Sequence, residues 1–86
     1  MELVNMLKNW GQIKAEDAEK TLGIMFAKPG TIVYSRDNGF MLETISYSDE
    51  SNQWVYNCVN HDDWSELWSD GFGATPEEAF NNREMY

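Results

Sequence analysis

Cationic side chains are scarce. The chain of 86 residues carries 6 Lys and Arg against 15 Asp and Glu, a formal net charge of −9 with a pI near 4.2. Affinity for phosphate comes mainly from Lys and Arg, so the balance argues against direct binding to DNA, RNA or an anionic membrane. Cysteine is scarcer still. A lone Cys58 cannot close an intramolecular disulfide, which removes the secreted, stapled scaffolds from consideration. The first ten residues lack both a basic region and a continuous apolar run, and no stretch approaches the roughly 18 apolar residues that span a bilayer. The expected location is therefore the cytoplasm. No linker rich in Pro, Gly or Ser divides the chain and no repeat is visible, so 1–86 reads as a single domain, too short for a separate cofactor domain.

Apolar and aromatic residues are plentiful, at 42% and 14%, which is too much buriable surface for an acidic disordered tail. Charge is distributed unevenly. Residues 1–36 hold 4 acids and 5 bases, whereas residues 37–86 hold 11 acids and one base. Between Arg36 and Arg83 there is no Lys or Arg, while Asp37, Glu43, Asp49, Glu50, Asp62, Asp63, Glu66, Asp70, Glu77 and Glu78 all lie there. Ordinary surfaces mix signs because a one-sign field repels itself. The acids of this half are expected to form a contiguous exposed face.

Leu3, Met6, Leu7, Trp10 and Ile13 recur at helical spacing, continued by Ala15, Ala18 and Leu22, and predict a helix over 2–22 bent near Gly11. Lys28-Pro29-Gly30 reads as a turn. The β-branched run 31–34, the Asp37-Asn38-Gly39 turn and the run 40–47 predict a hairpin, and 53–59 a third strand after the polar turn 48–52. Thr75-Pro76-Glu77-Glu78 forms a capping box and predicts a helix over 76–83, entered through a flexible Gly71-Phe72-Gly73-Ala74 segment. Residues 64–69 fit helix, strand or loop. The expected fold is α+β: a three-stranded antiparallel meander packed with an N-terminal helix and a short C-terminal helix.

Candidate chemistry is thin. Cys58 and His61 offer a nucleophile and a base three residues apart, against the plainer reading of a packed strand residue. His61-Asp62-Asp63 offers three metal donors, yet consecutive residues diverge and no ligand pattern supports them. Glu77 and Glu78 are accounted for by capping, and Gly71-x-Gly73 lacks the Lys of a phosphate cradle. No cofactor, metal site or enzymatic activity is expected. Trp10, Trp54, Trp64 and Trp68 read as core, but Trp64 and Trp68 also lie among Asp62, Asp63, Glu66 and Asp70, as an aromatic anchor ringed by acids would.

In size, acidity, absence of catalytic motifs, helix-plus-meander organisation and a cation-free acidic half, the chain resembles the small phage-encoded inhibitors of bacterial defence. These are the anti-restriction and anti-CRISPR proteins, several of which mimic nucleic acid. The stretch Gly71-Phe72-Gly73-Ala74-Thr75-Pro76-Glu77-Glu78-Ala79-Phe80 is similar to the strand-to-helix junction of small phage and antitoxin-like domains, which implies a strand before it. The resemblance implies a mode of action and a host-cell cytoplasmic location: an acidic protein occupying the basic groove of a nucleic-acid-handling enzyme. The candidate partner-binding residues are Glu43, Asp49, Glu50, Asp62, Asp63, Trp64, Glu66, Trp68 and Asp70. The alternative is a small adaptor or antitoxin-like module that binds a protein through a Trp-centred patch or a strand edge.

Overall fold

Where a long first helix is expected, the chain forms a strand and a shorter helix. A computed structural model describes residues 7–22 and 30–85 of the protein. Its elements are β1 (Gly11–Lys14), α1 (Ala15–Leu22), β2 (Ile32–Asp37), β3 (Met41–Ser48), β4 (Gln53–Asn60), β5 (Asp63–Gly73), α2 (Pro76–Asn81) and β6 (Glu84–Met85). All six strands join one sheet in the order β1-β2-β3-β4-β5-β6, each antiparallel to its neighbour. The three-stranded meander with a substantial N-terminal helix is thus corrected: the described residues form a six-stranded antiparallel sheet with two small helices, and 54% of them are strand.

The helical spacing misleads because it joins two separate packing units. Leu7 and Trp10 belong to one core, with Ile45, Tyr56, Cys58, Ala79 and Phe80, whereas Ala15 and Ala18 belong to another, with Val33 and Ile13. Between them Gly11, a poor helix former, and β-branched Ile13 extend to pair with Ser35 and Val33. Leu3 and Met6, and the Lys28-Pro29 part of the expected turn, lie outside the described residues.

Cross-strand partners share a face. Tyr34, Ile45, Tyr56 and Gly71 are aligned across four strands, as are Arg36, Glu43, Cys58 and Ser69. This face carries the larger core and is covered by residues 7–10 and α2. Trp10, Tyr56 and Phe80 meet edge to face or tilted at 5.4–6.5 Å. The opposite face buries Val33 under α1, and also buries Leu42 and Thr44.

The segment 64–69 is strand, carried by β5. The β4–β5 register shifts between Cys58 and Val59 and again between Val59 and Asn60. Cys58 faces Ser69 while Val59 faces Leu67, so Trp68 is the extra residue of a bulge and joins Ser69 on the side of the larger core. Ser69 donates its hydroxyl to the Glu84 carbonyl at 2.7 Å and so holds β6. At α2 the Thr75 hydroxyl accepts from Glu78 N–H, Pro76 fills the first turn, and the Glu78 carboxylate reaches back to Ala74 N–H. The Gly71 and Gly73 segment is no flexible entry: both glycines lie directly under this helix.

Candidate functional site

In a meander, alternate turns fall at the same end of the sheet. The β2–β3 turn (38–40) and the β4–β5 turn (61–62) are therefore neighbours, and the chain ties them together. Asp37 accepts from Gly39 N–H at 2.8 Å, and Asn38 accepts from the N–H groups of Phe40 and Met41 at 2.9 and 2.7 Å. Gly39 is left-handed at φ 82°, as its turn requires. His61 N–H donates to the Phe40 carbonyl, and His61 Nδ1 stands 2.7 Å from Asp37 Oδ2.

This end gathers Asp62, Asp63, Glu66 and Trp68 of the expected site and adds Asp37, Phe40, Asn60 and His61. Gly39, Phe40, Asn60, Asp62 and Trp68 line an open pocket of about 230 Å³. Phe40 is 73% exposed, Trp68 half-buried and Asp62 exposed. Asp63 accepts from the Ser65 hydroxyl at 2.6 Å and the Ser65 N–H at 3.1 Å, which hold its carboxyl below the usual carboxylate range. Asn60 donates to Glu66 at 2.8 Å and accepts from Asp62 N–H at 2.9 Å. Trp64 is part of β5, and its side chain lies outside the described set.

The remaining candidates lie elsewhere. Asp49 and Glu50 occupy the β3–β4 turn at the opposite end, roughly 23 Å away at about 3.3 Å per residue. Asp70 is half-buried in mid-sheet between Asn57 and Glu84. Glu43 is 7% exposed: it accepts from Arg36 Nε at 2.8 Å and from the Tyr56 hydroxyl at 2.6 Å. The Arg36 guanidinium also lies 4.5 Å from the centre of the Trp10 ring. The expected contiguous acidic face is therefore not formed: acids stand at both ends of the sheet, Asp70 is half-buried in mid-sheet and Glu43 is interior. Phe40 and Asn60 escape sequence reasoning: the expected strand 40–47 takes in Phe40, whereas the structure leaves it in the turn ahead of β3. The available signal is an apolar ring within the turn, next to Gly39.

Cys58 is buried on the core face, while His61 turns to Asp37. Burial first, and then the Glu43 carboxylate, push the thiol pKa up, so the nucleophilic thiolate is disfavoured. Burial likewise raises Tyr56, with its hydrogen bond to Glu43 adding to the shift. Both groups fold in their neutral forms. Their contribution is complete below the unfolded values, about 8.5 for Cys and about 10 for Tyr, and is lost as pH rises through the folded ones. Denaturant melts are expected to show stability falling above pH of about 8.5, with Cys58→Ala removing the first part of that fall and leaving the part above about 10. An identical slope in the variant contradicts the assignment.

Among the described residues no three His, Cys, Asp or Glu side chains gather as a metal site would require, and no helix is long and apolar enough to cross a membrane. Comparison with protein-family models, with curated proteins and with solved structures finds no match to this chain.

Proposed function

We propose that this protein is a non-catalytic acidic binding module. It inserts the end of the sheet formed by the β2–β3 and β4–β5 turns into the basic groove of a nucleic-acid-handling protein, a host defence nuclease or CRISPR effector, and keeps nucleic acid out. The carrying observation is that Asp62, Asp63 and Glu66 stand exposed beside a pocket walled by Phe40 and Trp68. The sequence around them, from Arg36 to Arg83, supplies no cation. Carboxylates take the place of phosphates, and the aromatic rings supply the apolar centre that a charged rim alone lacks. The site of action is the cytoplasm, that of the host cell for a phage-encoded protein. The exposure of Phe40 favours a second reading, an adaptor binding a protein partner through the aromatic patch without regard to nucleic acid.

Capture from a bacterial lysate at low and then high salt identifies the partner and its electrostatic share. Binding to it is expected to weaken with salt and to compete with nucleic acid. Reversal of Asp62, Asp63 and Glu66 to Lys should weaken it about tenfold or more, because like charges brought together cost several kcal/mol. Reversal of Asp49 and Glu50 should change affinity by less than about threefold, because roughly 23 Å is nearly three screening lengths at physiological salt. A ternary complex with nucleic acid held in the same groove rules the proposal out and leaves the adaptor.

A further inference from the structure

Asp62 lines the pocket and three further acids, Asp37, Asp63 and Glu66, adjoin or hydrogen-bond to residues that line it, and these three are already engaged within the chain. Asp37 accepts from Gly39 N–H and faces His61, Asp63 accepts twice from Ser65, and Glu66 accepts from the Asn60 amide. The Asn60 amide is in turn used at both its ends, by Glu66 and by Asp62 N–H. Among the described residues, the Asp62 side chain takes no hydrogen bond or ion pair, and it is the acid that lines the pocket. One open carboxylate thus stands beside an exposed Phe40 ring and the half-buried Trp68 indole.

We infer that this pocket receives a single arginine side chain of the partner. The inference deepens the proposed function and rests on its reading that the partner surface is basic. An open carboxylate favours a cation over an apolar group, which would desolvate it without compensation, over an anion, which it repels, and over a neutral donor, whose hydrogen bond is weaker than a charge-paired one. At about 230 Å³ the pocket lies below the usual range for small-molecule sites, roughly 300–1,000 Å³, and suits one side chain. Between the two cationic side chains, the planar guanidinium stacks on aromatic faces, sheds water more readily than an ammonium and meets a carboxylate with two parallel N–H groups. The molecule already uses this contact internally. Arg36 lies over Trp10 at 4.5 Å and Arg83 over Phe80 at 4.0 Å.

The test uses blocked six-residue peptides of arginine, lysine and citrulline, titrated against the intact protein at about 0.15 M salt. The arginine peptide is expected to bind about two- to fivefold tighter than the lysine peptide, and the uncharged citrulline peptide to show no binding. Asp62→Asn and Phe40→Ala change exposed side chains, and each should abolish the preference for arginine with circular dichroism and melting temperature unchanged. Asp49→Asn should keep it. Equal affinity for arginine and lysine, or a preference surviving in both pocket variants, overturns the inference. Competition with nucleic acid on the captured target is measured separately. Displacement without an arginine preference removes the pocket inference and leaves the proposed function, whereas an arginine preference with nucleic acid still bound does the reverse.

Discussion

Gly71→Ala is expected to lower the melting temperature by on the order of 15 °C, the largest effect of a methyl group added at any of the described glycines. A Cβ at Gly71 would stand 2.2 Å from the Ala79 carbonyl oxygen and 2.8 Å from the backbone of Arg83. These are main-chain atoms of α2 and of Arg83 just beyond its cap, so no side chain can rotate away. The helix has to lift off β5, and with it the contacts of Ala79 and Phe80 in the larger core. Overpacking of this kind costs about 3 kcal/mol or more, and each kcal/mol is worth about 4–8 °C in a domain of this size. Gly73→Ala meets Glu78 and Ala79 backbone atoms at 2.7–2.8 Å and should behave similarly. Gly39→Ala is the control. Nothing lies within 4 Å of its Cβ position, and only the left-handed backbone resists substitution, at about 1–2 kcal/mol. Thermal melts followed by circular dichroism rank the three, and a Gly71→Ala protein no less stable than Gly39→Ala would contradict the packing argument.

Glu43→Ala should come next, costing about 3 kcal/mol. The deletion leaves the buried Tyr56 hydroxyl without its acceptor and Arg36 without its carboxylate, inside a face already closed by Trp10 and Phe80. The three partners differ in expected cost because they differ in exposure. The Arg36 side chain is 45% exposed, so its ion pair is screened by solvent, and Arg36→Ala should cost about 1 kcal/mol including its stacking on Trp10. Glu43 is 9% exposed on the side chain and accepts both bonds. Chemical denaturation at pH 7 reads the difference, and an Arg36→Ala loss equal to that of Glu43→Ala would show that the guanidinium, and not the carboxylate, is the centre of the network. Neither change touches the pocket at the hairpin end, so the residual folded fraction of each variant should keep the affinity of the parent for its partner.

The two short-range signals with a defined backbone mechanism were legible in the sequence. Asp37-Asn38-Gly39 makes its turn between β2 and β3, and Thr75-Pro76 with Glu78 starts α2, because each is settled by hydrogen bonds within a few residues. Periodicity failed where packing units meet. Leu7, Trp10, Ala15 and Ala18 keep helical spacing although a strand interrupts them, and Leu67-Trp68-Ser69 hides its alternation because the bulge inserts Trp68. Composition failed for the glycines, since Gly71 and Gly73 look the same in a sequence whether a loop needs freedom or a helix needs room. Counting acids located the cation-free half but could not separate Glu43, consumed inside the sheet, from Asp62, left open at its end. That distinction depends on strand register, which a charge count does not contain.

The parity of the turns has an evolutionary consequence. Three of the described residues that line the pocket, Gly39, Phe40 and Asp62, lie in the turns 38–40 and 61–62, which meet because one complete hairpin separates them, while β3 and β4 between them run in unbroken register from Met41 opposite Asn60 to Ser48 opposite Gln53. On the proposed reading, insertions or substitutions in those two turns remodel what is recognised without disturbing a rung of the ladder, and drift in the Asp49–Glu50 turn leaves recognition unchanged. Lineages under pressure from a changing target would be expected to diversify at one pole of this sheet and to stay comparatively constant along its rungs and under α2.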